Sequence, residues 1–245
     1  MKQAVESIKG LFPITPLARP ESDPAIPDYL KKHYWWAYLH PNAVRFFERE
    51  WLVNLILWGN FRRLRDLALA ELGDPIERKI LQAACVYGNF TQNIAARLGK
   101  EGSLDVIDIA PIQLDNLRAK LPADSTVRLH CQDASKLHFP EATFDSVLLF
   151  FLLHEQPEPV RRATLAEALR VTRPGGSIVI VDYHNPHYRN PLRYLMTLVL
   201  RLLEPFAIDL WRNEIVTYLP DGAFPAHLRK ETYFGGLYQK VVLTR

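Results

Sequence analysis

Cysteine is nearly absent, with only Cys85 and Cys131 in a chain of 245 residues. Two cysteines exclude a disulfide framework and a four-cysteine zinc site, and they fit a reducing compartment. Glycine is sparse as well. Eleven residues without a repeat exclude collagen-like or low-complexity architecture. An excess of one charge is missing too. Against 30 Lys and Arg stand 27 Asp and Glu, a net +3. That lacks the concentrated basic stripe of a nucleic-acid binder but suffices for mild attraction to anionic lipid. No window reaches the ~20 apolar residues needed to span a bilayer. The start, Met1-Lys2-Gln3-Ala4-Val5-Glu6, has no signal-peptide apolar run. What remains is a folded-protein balance, 48% hydrophobic and 23% charged, sized for one α/β domain with an embellishment.

Five prolines in residues 1–28 forbid regular helix and predict an extended arm. Residues 29–72 read as a helical cover. An aromatic cluster, Tyr34, Trp35, Trp36 and Tyr38, stops near Pro41, and a second helix runs through Leu64 and Leu72 to Gly73. Strands and helices then alternate over 78–184. Lys79 to Val86 is a short apolar run closed by Gly88, and Asn89 with Gln92 resembles a helix cap. Leu104 to Asp108, Val127 to Cys131, Phe144 to Phe151 and Ser177 to Tyr183 read as further strands, with a helix from Pro159 to Val171. Such alternation predicts a Rossmann-like α/β fold, a mostly parallel twisted sheet with helices on both faces. Residues 185–230 form a helical insert, and 231–245 two terminal strands around Gly235-Gly236, one antiparallel to the sheet.

Ligands of such sheets bind at the carboxyl ends of the strands. The second strand ends on Asp108, suited to two ribose hydroxyls, and the third on Asp133-Ala134, suited to an adenine edge. The fourth offers Phe150, His154 and Glu155, and the fifth Asp182, Tyr183 and His184. These ends describe a nucleoside pocket with an aromatic, histidine-bearing far side. His154 and Tyr183 are candidates for proton transfer. Apolar segments Trp51–Trp58 and Leu192–Trp211, edged by Arg62, Arg63, Arg65, Arg193 and Arg201, read either as core helices or as interfacial ones.

From Ile80 to Val181 the chain resembles the class I S-adenosylmethionine-dependent methyltransferases. The resemblance rests on Ile80-Leu81 through Gly88-Asn89-Phe90-Thr91, Asp108-Ile109-Ala110-Pro111, Gln132-Asp133-Ala134, Phe139 to Asp145 and Leu169 to Gly176. It implies that Gln82, Ala84, Val86, Tyr87, Gly88, Asp108, Ile109, Asp133, Ala134 and Phe150 hold S-adenosylmethionine. The first loop departs from that family. Gln82 replaces its acidic residue, and Ala84 and Val86 replace the first two of three glycines. Ala84-Cys85-Val86-Tyr87-Gly88, with Tyr34 to Pro41, Trp51 to Gly59 and Tyr233 to Gln239, resembles the RquA rhodoquinone biosynthesis proteins.

This second resemblance implies replacement of a methoxy group of ubiquinone by an amino group, with S-adenosylmethionine as amino donor and manganese required. An amine must be neutral to attack, and exchanging a carboxylate for Gln82 favours the neutral form, which gives Gln82 an expected catalytic part. Manganese prefers oxygen ligands and accepts imidazole, so His154, Glu155, Asp182 and His184 are the expected ligands, with Asp133 open as a metal ligand instead of an adenine contact. The long-tailed substrate implies a cytoplasmic enzyme peripherally attached to the inner membrane; a homo-oligomer stays open. Two rival readings are a quinone or lipid methyltransferase and a catalytically dead binding module in a quinone-synthesis complex.

Overall fold

Short apolar runs that break at glycine or an acid become the strands of one sheet. The computed structural model describes residues 25–223 and 225–245. The Pro-rich arm lies outside them except for residues 25–28.

Among the described residues, seven strands form the sheet: β1 (Lys79–Ala83), β2 (Ser103–Asp108), β3 (Arg128–Cys131), β4 (Phe144–Phe150), β5 (Thr172–Tyr183), β6 (His227–Tyr233) and β7 (Tyr238–Thr244). Their order is β3-β2-β1-β4-β5-β7-β6. β1 pairs in parallel with β2 and β4, while β7 runs antiparallel to both β5 and β6. The terminal hairpin and its antiparallel strand therefore form as expected.

Alternation along the strands separates two cores. Ile80, Val106, Leu148 and Val181 face one layer, with Phe61, Leu64 and Phe90. Leu81, Ile107, Leu149 and Ile180 face the other, with Leu165 and Ala168. Among the described residues, eight α-helices cover these faces: α1 (Pro41–Phe47), α2 (Glu50–Ile56), α3 (Phe61–Leu69), α4 (Phe90–Ala95), α5 (Pro111–Lys120), α6 (Glu158–Val171), α7 (Leu192–Leu203) and α8 (Ala207–Arg212). A π-helical segment, Leu30–Leu39, precedes them.

The cover differs from the sequence reading in one respect. The single helix expected after Pro41 is three helices. Trp58 and Gly59 take positive φ, 53° and 77°, and the Gly59 amide donates to Asn54 O at 2.7 Å. Asn60 Nδ2 then donates to the Leu57 and Trp58 carbonyls, so the chain turns before α3 begins. The expected Asn89 cap is also replaced. Its side chain makes no cap bond and instead donates to Glu50 and accepts from Arg65.

Arg161 on α6 is fully buried. It donates to Leu153 O, Gln156 O and Phe206 O, pairs with Asp209 at 2.8 Å, and lies over the Tyr218 ring. One guanidinium thus ties the β4 exit loop to α8. Arg161→Leu takes a donor from each of three carbonyls and removes the ion pair with Asp209, and should cost about 3 kcal/mol in urea unfolding, with the slope unchanged.

Candidate functional site

A cavity of ≈ 540 Å³ lies at the carboxyl ends of β1, β2, β4 and β5, under the π-helical segment. Ala84, Val86, Tyr87, Asp108, Ile109, Asp133, Ala134, Phe150, His154, Glu155 and Tyr183 all line it. Gln82, Gly88, Asp182 and His184 are not on its wall.

The first loop explains two of these placements. Ala84 occupies φ +73°, the conformation that glycine usually supplies, at a cost of about 1 kcal/mol. Gln82 is fully buried and turned inward. Its Nε2 donates to Ala84 O at 2.9 Å, and its Oε1 accepts from Thr91 Oγ1 at 3.0 Å. The side chain therefore holds the strained loop from within. Gly88 has φ +80°, and a Cβ there would sit 3.2 Å from the Phe61 ring. Its amide donates to Glu48, so this glycine joins the loop to the helical cover.

The wall at the ends of β2 and β3 is carboxylate-rich. Asp108 accepts the Cys85 and Ala110 amides, both at 2.8 Å. Burial nevertheless lifts its pKa to about 6, against those bonds. Asp133 spends one oxygen on the Ser135 amide and hydroxyl. The other has no protein partner among the described residues.

The far side is a cluster of titratable groups. Asp182, fully buried at the end of β5, accepts the amides of Leu153, His154 and Tyr183 and holds His154 Nδ1 at 2.8 Å. Burial alone would discharge His154, but Asp182 outweighs it and raises the pKa to about 9. Its Nε2 lies 3.8 Å from Glu155. The Tyr38 hydroxyl donates to Glu155 from the overlying segment. Glu155 is pushed up to about 8, first by burial, against His154 and with the help of Glu204. Glu204, just past α7, is raised for the same reason, burial. Tyr183 meets His154 edge-on at 4.8 Å between ring centroids.

Of the four expected metal ligands, His154, Glu155 and Asp182 come together and His184 does not. His184 Nδ1 donates to Gly236 O, and its Nε2 accepts from Lys230 on β6. Among the described residues no three of His, Cys, Asp or Glu converge with metal-ligand spacing. The donor set as folded does not fit manganese, and no step is derived through it.

Tyr38, Gln113 and Glu204 also line the cavity, unforeseen in the sequence. Glu204 was detectable. It follows Met196 and Leu200 at four-residue steps, the inward register of α7. Tyr38 stacks on Tyr87 at 5.8 Å, and Gln113 donates to both the Tyr87 hydroxyl and the Tyr38 carbonyl.

The strand order reverses between β1 and β4 and the seventh strand runs antiparallel, an arrangement this chain shares with known proteins. The methyltransferase-domain family matches residues 80–176. A methyltransferase of Aquifex aeolicus described as S-adenosylmethionine-dependent superposes with a TM-score of 0.52 at 17% identity, over 83% of this chain and 97% of that one. The chain has the class I S-adenosylmethionine-dependent methyltransferase fold. The chain is 26% identical over 165 residues to a demethylmenaquinone methyltransferase of Bacillus licheniformis, covering 67% of this chain and 70% of that protein. An uncharacterized methyltransferase of Synechocystis is 27% identical over 210 residues, covering 84% and 92%.

Two outcomes follow. Gln82→Glu sets a carboxylate against the Ala84 carbonyl and removes a buried donor, so it should cost about 2 kcal/mol of stability in urea. The second concerns pH. With a pKa of about 8 against an ordinary 4.5, folded Glu155 keeps a proton that the unfolded chain has lost, so stability falls as pH rises through that window. His154, about 9 against 6.5, contributes stability below pH 6.5 that is lost by 9. The melting temperature of the ligand-free chain should therefore drop from about pH 6 to about pH 9, and Glu155→Gln should flatten the drop.

Proposed function

We propose that this protein replaces a methoxy group of a ubiquinone-type lipid quinone with an amino group, using S-adenosylmethionine as the amino donor. The observation that carries this reading is the first loop. No carboxylate of that loop faces the cavity, because Gln82 stands in its place and is bonded inward. The usual partner that keeps the donor's amine as an ammonium is missing. In its place the far side presents Glu155 beside His154. A carboxylate with proton affinity raised to about 8 is a competent base toward an ammonium. The neutral amine then attacks the methoxy-bearing ring carbon, forming a C–N bond. His154, cationic because Asp182 holds it so, gives a proton to the departing methoxide, which leaves as methanol, and takes one back from the ring-bound nitrogen. The bond from that nitrogen to the donor's α-carbon then breaks by elimination, which needs no oxidant: a base takes a proton from the donor's β-carbon, the electron pair becomes the α,β double bond, and the nitrogen leaves with its own pair and gains a proton, giving the aminoquinone and an unsaturated acid. Asp108 and Asp133 are assigned to the ribose and adenine, and Val86, Tyr87 and Phe150 to the rest of the donor. The apolar share of the cavity, Phe47, Val53, Leu57 and Leu203 among others, suits a quinone ring and the start of its tail. The resemblance implies a manganese requirement, so the metal belongs in the assay.

A quinone methyltransferase is the second reading, favoured by relatives that are named as demethylmenaquinone methyltransferases. Product mass separates the two. Purified protein, short-tail ubiquinone, manganese and S-adenosylmethionine labelled at its amine nitrogen should yield a lighter quinone that carries the label. A heavier, methylated quinone would instead support the second reading. His154→Ala should abolish turnover while S-adenosylhomocysteine binding, measured calorimetrically, stays within about threefold of the original.

A further inference from the structure

Two helices at the cavity mouth each expose an apolar face with no protein cover. On α2 and the turn after it, Trp51 and Leu55 are 60% and 64% exposed, and Trp58 lies one turn further on. On α7, Tyr194, Leu195, Leu198 and Leu202 share the outward face, Tyr194 at 77% exposure. The two helices are in contact along their inner side, where Trp58 Nε1 donates to the buried Met196 Sδ at 3.2 Å. The inward faces of the same helices, Val53 and Ile56 on α2 and Val199 and Leu203 on α7, line the cavity. One pair of helices thus presents apolar side chains outward and a route to the site inward.

The charges around this double face have one sign. Arg45 and Arg49 flank α2, and Arg189 and Arg201 flank α7; none of the four makes an ion pair among the described residues. The acids nearby are engaged: Glu48 with Lys120, Glu50 with Arg62, and Glu204 buried in the cavity. Exposed tryptophan and leucine ringed by unpaired arginine is the chemistry of an anionic bilayer surface, where the rings enter the headgroup boundary and the guanidinium groups meet phosphates. No described helix is long and apolar enough to cross a membrane, so the contact is with one leaflet.

We infer that the α2–α7 face docks on an anionic lipid surface and opens the cavity toward the bilayer, so that an apolar substrate enters between the two helices. The inference rests on the lipid-quinone reading for its purpose and on the surface alone for its test.

The full chain is mixed with phosphatidylcholine vesicles with or without phosphatidylglycerol, in the absence of donor and quinone, and pelleted. Partition should be stronger with phosphatidylglycerol. Trp51→Glu with Leu198→Glu should lower it by about tenfold, and Arg45→Glu with Arg201→Glu should remove the phosphatidylglycerol dependence. Both variants should keep S-adenosylhomocysteine binding, which certifies the fold. Bromine-labelled acyl chains should quench tryptophan fluorescence, less so in Trp51→Phe. Equal partition of all variants would overturn the inference. So would partition indifferent to phosphatidylglycerol, or a dimer dissolved by Trp51→Glu with no vesicle binding, which would assign the face to a second copy of the chain. Failed amino transfer leaves these readouts unchanged. Failed docking leaves turnover of a short-tail quinone unchanged, so the two proposals fall separately.

Discussion

Asp182 is the fixed point of the site. A carboxylate with no solvent contact at the end of a central strand is tolerable only if its oxygens are saturated, and here three backbone amides and an imidazole do it. That demand turns the chain after β4 back toward β5 and sets the orientation of His154. It also decides the charge of His154, and through it the environment of Glu155. Tyr38 then closes on Glu155 from above. The cavity's far wall is therefore built outward from one buried negative charge.

The first loop shows a different economy. Methyltransferase folds use glycine where the backbone passes close to the donor. This chain places alanine in the same left-handed conformation and holds it with a buried glutamine amide. The residue that seemed, from sequence, to face the donor is thus a brace. Tyr87, stacked under Tyr38 and bonded to Ala37 O, extends the loop into a floor for the overlying helical segment.

Much of the architecture was legible in the linear pattern. Short apolar runs before Gly88 and up to Asp108 read as strands buried on both faces, the run to Cys131 as a half-buried edge strand, and the helices between them force a parallel sheet. The placement of Asp108 and Asp133 on the cavity wall was legible for the same reason. Asp108 and Asp133 are displayed by the strands that precede them, so local position fixes their place. The helical cover was less legible. Trp58 at positive φ, which ends α2, carries no sequence signal, and the periodic apolar spacing reads straight through the break.

The sequence by itself determined the strand order's raw material, the loss of glycine and acid in the first loop, and the acids at the ends of β2 and β3. Each of these depends on near neighbours in the chain. The tertiary structure alone decided which titratable groups meet. Glu155 and Glu204 are 49 positions apart, on different elements, yet burial in one cavity raises both. His184, two residues from Asp182, is drawn off the site by Gly236 and Lys230 of the terminal strands. Proton affinity and ligand convergence are set by packing and dielectric around a group, and those are properties of the folded neighbourhood and not of its address along the chain.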